Sequence, residues 1–209
     1  MLYHRRITWF VLFLLLVGAN AHAGQYDFKY EDQTARLKPF DIAKVSTDQR
    51  FVYFAGEGIY QYDKAFNSVQ VTSLPFLKIA RDISISPSGS NLYAVGSMGL
   101  RAYQRDVDTG FLTLTQSISK TDTGFATLNN PYNIEVSNDG DYLYIASYNG
   151  RSLIVLKKGR NGMLTKIQEF NETDHYTLRY LRGARLSPDG KFLYVSQAVS
   201  SASINIFKV

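Results

Sequence analysis

From about residue 40 onward, apolar side chains either alternate with polar ones or gather in short runs, and turn-forming residues interrupt every run. A period of two predicts strands, and no helical period of 3.6 competes with it. The pattern also recurs. Ile83–Val95 (ISISPSGSNLYAV), Asn133–Ile145 (NIEVSNDGDYLYI) and Ala184–Val195 (ARLSPDGKFLYV) are copies of one unit, and Ile42–Phe54 (IAKVSTDQRFVYF) is a degenerate fourth. Their aligned tyrosines, Tyr53, Tyr93, Tyr144 and Tyr194, are spaced by 40, 51 and 50 residues. That is the period of propeller blades, each a four-stranded antiparallel sheet. The fold class expected is therefore all-β, with about four repeats near 40–80, 81–130, 131–181 and 182–209.

Each copy divides into strands for local reasons. A short alternating strand meets a Ser-Pro-Asp-Gly turn or a variant of it, in which Pro pre-sets φ and Gly supplies φ > 0. The second strand is a Leu-Tyr-Ile/Val run, apolar enough to be covered on both faces. Third strands are expected at Leu100–Gln104, Leu153–Lys157 and Ile204–Lys208, and fourth strands at Phe111–Ile118 and Met163–Phe170. Asp106–Gly110 and Lys158–Gly162 supply the turns between them.

Ser187-Pro188-Asp189-Gly190-Lys191-Phe192-Leu193-Tyr194-Val195, followed by Ile204–Phe207, resembles the YVTN/lactonase-type (6-phosphogluconolactonase-like) β-propeller repeat. Arg105–Thr113 is similar to that family's link between third and fourth strands. The resemblance covers residues 40–209 and implies seven blades in most members and lactone chemistry in some. Seven blades at this period need roughly 330 residues. Four repeats therefore leave three arrangements open: a closed four-bladed ring, part of a seven-bladed propeller, or an open half-ring that self-associates with a second chain. The fourth repeat stops after its third strand, and residues 24–38 are expected to be able to complete that blade.

The N-terminus carries a different signal. Arg5 and Arg6 precede the apolar run Ile7–Val17, and Ala21-His22-Ala23 forms a small-x-small site. This arrangement predicts a secretory signal peptide over residues 1–23, cleaved after Ala23, and a periplasmic or secreted mature domain over 24–209. A run of eleven residues is short for a membrane span. There is no Cys, so stability rests on packing and hydrogen bonds. The 23 Lys+Arg against 18 Asp+Glu give +5, and loss of Arg5 and Arg6 lowers it by two. That surplus is too small to predict a nucleic-acid partner.

Candidate chemistry is sparse. Arg81-Asp82, Asn130–Asn133 and Tyr180–Gly183 are expected to lead into the innermost strands, where propeller loops converge on the channel. Arg81, Asn133 and Arg182 align at comparable repeat positions, so two arginines facing one channel would suit a carboxylate or phosphate. The competing expectation pairs them with Asp82 and other local acids. His175 is the only His after the leader, and an acid/base role would require a partner that the sequence does not identify. Asp106-Val107-Asp108 lacks the remaining ligands of a calcium loop and falls where a turn is needed. No cofactor and no metal site is expected. The leading functional expectation is an exported scaffold that binds a protein or a small anionic ligand through channel-facing loops. The alternatives are a lactone hydrolase or cycloisomerase, and a fragment of a larger propeller.

Overall fold

The computed structural model describes residues 40–65, 67–74, 77–172, 177–198 and 203–209, with side chains from residue 42. The expected signal peptide and the segment 24–38 lie outside the described residues. Four sheets are present. The first holds β1 (Phe40–Val45), β2 (Phe51–Gly56), β3 (Gly58–Asp63) and β4 (Ser68–Ser73). The second holds β5 (Ala80–Ile85), β6 (Asn91–Gly96), β7 (Gly99–Arg105) and β8 (Leu112–Ser119). The third holds β9 (Pro131–Val136), β10 (Tyr142–Ser147), β11 (Ser152–Lys158) and β12 (Leu164–Asn171). The fourth holds β13 (Leu181–Leu186), β14 (Phe192–Gln197) and β15 (Ile204–Lys208). Within each sheet, neighbours are consecutive and antiparallel, as hairpin-linked blades require.

The turns explain why the hairpins form where they do. Ser46, Ser86, Ser137 and Ser187 open the first turn of the four sheets. Each hydroxyl accepts a hydrogen bond from the N–H five residues on, in Phe51, Asn91, Tyr142 and Phe192. Gly89, Gly140 and Gly190 then take φ of +73°, +79° and +72°, where a Cβ would be strained. The degenerate first copy puts Gln49 there, at φ +56°.

Inner strands β1, β5, β9 and β13 pack against one another in succession. Three apolar cores fill the spaces between successive sheets. Tyr53, Ile59, Leu77 and Leu92 lie in the first, Tyr93, Leu100, Ile134 and Leu143 in the second, and Tyr144, Leu153, Leu181 and Val195 in the third. The repeated tyrosine is buried in the first three sheets, with Tyr53 at 0% exposure, but Tyr194 is 41% exposed. Among the described residues no fifth sheet covers the fourth, and β13 has no packing on β1 comparable to that between successive inner strands. The four sheets thus form an open run, as in part of a larger ring, in place of the closed four-bladed alternative.

Polar ties join the sheets. Gln70 of β4 binds both backbone groups of Leu112: its Oε1 accepts from the N–H (2.8 Å) and its Nε2 donates to the carbonyl (3.4 Å). Gln116 of β8 treats Leu164 in the same way, at 2.7 and 3.1 Å. Arg105, 2% exposed, ties the first two sheets, donating to the Tyr53 hydroxyl (2.6 Å), Gly89 carbonyl (3.0 Å) and Asp48 carboxylate (3.1 Å).

Candidate functional site

Every inner strand begins with a β-bulge. In β5 the register passes from Ala80 opposite Gly96 to Asp82 opposite Val95, leaving Arg81 as the extra residue. By the same shift the extra residue is Tyr132 in β9 and Arg182 in β13. A bulge frees one residue from the ladder and re-aims its side chain. Three successive sheets therefore present Arg81, Tyr132 and Arg182 at the same structural position.

These side chains meet. The Arg81 guanidinium lies 4.9 Å from the centre of the Tyr132 ring, and that of Arg182 lies 4.5 Å from it. Arg182 also lies 5.1 Å from the Tyr148 ring. Tyr148, in the β10–β11 connection, is 4.8 Å from Tyr132 and 4.9 Å from Tyr180, ring centre to ring centre. Two loop residues around this cluster hold left-handed backbone, Asn130 at φ +53° and Tyr180 at φ +53°. Such conformations are costly for non-glycine residues and concentrate at functional sites.

Electrostatics leave two of the nearby arginines uncommitted. Glu172 pairs with Arg151 (3.4 Å) and with Arg179. Arg185 pairs with Glu135 at 3.3 Å and approaches Asp82 at 3.9 Å. Among the described residues neither Arg81 nor Arg182 has an ion pair, and Arg81 Nε is buried with no hydrogen-bond partner. Two guanidinium groups beside one tyrosine ring, with no carboxylate in ion-pair reach among the described residues, can pair with an anion that has a planar or cyclic body.

The other expected site residues have different places. All four named strand residues lie within the inner strands, not ahead of them, because the ladder continues past the bulge to Ala80, Pro131 and Leu181. Asn133 aligns with Asp82 and Gly183, not with the arginines, and Tyr132 holds the arginine position. Asp82 and Asn133 are buried and tie one sheet to the next. Asp82 Oδ2 accepts from the Ile134 N–H (3.1 Å) and from the Asn133 amide, and Asn133 Oδ1 accepts from the Ala184 N–H (2.6 Å). Burial pushes the Asp82 carboxyl above its ordinary range, against the pull of Lys44, the Ile134 N–H and Arg185. Glu135 is raised for the same reason, with Arg185 opposing. His175 lies outside the described residues. Among the described residues no group of three or more His, Asp or Glu side chains is placed to hold a metal ion. The sequence-predicted site residues did not include Tyr132, Tyr148 and Tyr180; counting twelve residues back from each of Tyr93, Tyr144 and Tyr194 would have placed Tyr132 with Arg81 and Arg182.

Solved structures share this architecture at low identity. A Bacteroides fragilis protein provisionally assigned as a 6-phosphogluconolactonase matches with TM-score 0.66 and 19% identity, over 81% of this chain and 50% of its own. A periplasmic gluconolactonase from Pseudomonas aeruginosa matches with TM-score 0.57 and 15% identity, over 80% and 53%. Hydrazine synthase from Kuenenia stuttgartiensis matches with TM-score 0.62 and 16% identity, over 86% and 49%. The chain thus spans about half the length of these propellers, and likeness at this level carries the fold alone. No curated protein matches the chain. The family model "Lactonase, 7-bladed beta-propeller" matches residues 58–209, and on that match the chain belongs to the lactonase seven-bladed β-propeller family.

Proposed function

We propose that this propeller, exported by its N-terminal leader, binds a small hydroxylated carboxylate or phosphate at the Arg81–Tyr132–Arg182 cluster. The observation that carries this reading is the pair of arginines stacked on one tyrosine with no ion pair to either of them among the described residues. A guanidinium offers two parallel N–H donors to a carboxylate or phosphate, and the tyrosine faces suit the C–H face of a sugar ring. Sugar acids such as gluconate and 6-phosphogluconate have this chemistry. Calorimetric titration of the protein with both should give saturable binding. Arg81→Ala and Arg182→Ala should each weaken it at least tenfold, and silence with both ligands sinks the proposal.

Family membership favours a second reading, hydrolysis of a sugar lactone at the same cluster. The arginines would stabilise the oxyanion formed when water adds to the lactone carbonyl. Water activation requires a base, and the nearby acids Asp82 and Glu135 are engaged with backbone N–H groups and Arg185. A pH-stat assay with gluconolactone separates the readings: turnover above background that falls in Arg182→Ala establishes hydrolysis. Binding of gluconate without turnover leaves a receptor.

A further inference from the structure

The Arg81–Tyr132–Arg182 cluster continues past its own arginines. Tyr148 touches both Tyr132 and Tyr180, so three rings follow one another at 4.8 and 4.9 Å. Beyond them the Arg151 guanidinium lies 6.0 Å from the centre of the Tyr180 ring. Glu172 pairs with Arg151 at 3.4 Å and also with Arg179. The two ends of the series therefore differ in charge. Arg81 and Arg182 have no ion pair among the described residues, whereas Arg151 and Arg179 share a carboxylate.

Tyr180 holds a place whose backbone suits a different residue. Asn130 is its counterpart one sheet earlier: each directly precedes the first ladder residue of an inner strand, Pro131 or Leu181, and each takes φ +53°. Their carbonyls are also held alike, that of Asn130 by the Tyr148 N–H (3.2 Å) and that of Tyr180 by the Ala198 N–H (3.1 Å). Asn tolerates left-handed backbone, and Tyr does so at greater cost. What Tyr180 adds is a ring, 38% exposed at the end of the series. Arg151, at φ +50°, is held in turn by a hydrogen bond from the Glu172 N–H to its carbonyl (3.3 Å). An exposed ring beside a fixed donor and a fixed acceptor has the make-up of a site for a hydroxylated ring.

We propose that Tyr180, Arg151 and Glu172 form a second sugar subsite, so that the ligand is an acidic disaccharide and not a single sugar acid. The inference rests on the sugar-acid reading of the Arg81–Tyr132–Arg182 cluster. The acid unit pairs with Arg81 and Arg182, where positive charge is uncompensated. The second unit is neutral, because Glu172 already occupies Arg151 and would repel another carboxylate. Its C–H face lies on Tyr180, one hydroxyl accepts from the Arg151 guanidinium and a neighbouring hydroxyl donates to Glu172. Tyr148 lies under the link between the two units.

Calorimetric titration with lactobionate, a galactose linked to gluconate, and with gluconate itself reads the ratio of the two affinities. Lactobionate should bind the parent about tenfold more tightly. Tyr180→Asn keeps a side chain suited to left-handed backbone and removes the ring, and Glu172→Gln removes the acceptor charge without touching a ring. Each should lower the ratio about threefold or more. Arg182→Ala should weaken both ligands and keep the ratio. Saturable binding of gluconate with equal or weaker binding of lactobionate overturns the second subsite and leaves the sugar-acid reading standing. Silence with both ligands removes the two together. A ratio unchanged in both Tyr180→Asn and Glu172→Gln, with circular dichroism reporting an intact fold, also overturns the proposal.

Discussion

Arg105 is the most deeply buried cation among the described residues, and replacing it should expose how strongly the first two sheets are coupled. Its guanidinium spends three donors on Tyr53, Gly89 and Asp48, and stacks on Phe51 at 5.4 Å and Tyr53 at 5.8 Å. Arg105→Met keeps an unbranched chain in the slot and removes all three bonds. Removing one member of a buried ion pair typically costs about 3–5 kcal/mol. Here the low end applies, because the Asp48 side chain is 29% exposed and regains water, and the Tyr53 hydroxyl still donates to Gly110 O. A loss of about 3 kcal/mol corresponds to a fall in Tm of about 6–12 °C for a chain of this size.

The pH dependence gives a second reading of the same contact. Burial would raise the Asp48 carboxyl, but hydrogen bonds from Ser46, the Arg50 N–H and Arg105 bring it below the ordinary carboxylate range. A carboxyl whose folded pKa is depressed stabilises the fold above its unfolded pKa, and that contribution disappears as pH falls through the folded value. The gap between parent and Arg105→Met should therefore be widest at neutral pH and narrow below about pH 4. Urea unfolding across pH 3–7, with Asp48→Asn completing a double-mutant cycle, measures both. A loss under about 1 kcal/mol at pH 7, or a gap that does not narrow in acid, would refute the coupling.

Three further changes test other parts of the scaffold. Gln49→Gly should stabilise the protein by about 0.5–1 kcal/mol, because Gln49 sits at φ +56° where the other copies carry glycine; a lower Tm would refute this. Gly190→Ala, at φ +72°, should destabilise by a comparable amount, and thermal unfolding unchanged within error would count against the turn argument. Asp82→Ala should cost about 2–3 kcal/mol in urea, since it leaves the Ile134 N–H buried and unpaired.

The repeats were legible because their signal is local. Ser, Asp and Gly fix the first turn by bonds within five residues, so the strand order could be read without knowing what packs where. The site was less legible because its residues precede the recurring turn and differ in type. Counted back from the repeated tyrosines, Arg81, Tyr132 and Arg182 each stand twelve residues ahead, while Asn133 falls one later, with Asp82 and Gly183. That shared position is visible in the chain, but nothing in it announces a bulge that turns the three side chains the same way. Gln116 and Gln168 each follow a leucine by four residues, a regularity visible in the chain. Its meaning required the neighbouring sheet, because the glutamine grips backbone that is about 50 residues away.

The bulges and the ties are adjacent by construction, and this adjacency makes the site dependent on its buried neighbours. The bulge residues of β5 and β9 are each followed directly by the residue that grips the next sheet: Arg81 by Asp82, and Tyr132 by Asn133. Arg182 is followed by Gly183, which has no side chain to grip anything. Tyr132 is therefore held by the bond from Asn133 to the Ala184 N–H, one residue beyond its own Cα. Asn133→Ala and Gln116→Ala each remove a tie between neighbouring sheets, and each should cost about 1–2 kcal/mol. Only Asn133→Ala loosens the tyrosine on which both arginines stack. At a temperature where both variants remain folded, sugar-acid affinity measured by calorimetry should fall several-fold in Asn133→Ala and stay at the parent value in Gln116→Ala. Equal losses would mean that stability alone governs the site, and unchanged affinity in both would mean that the tie does not position Tyr132.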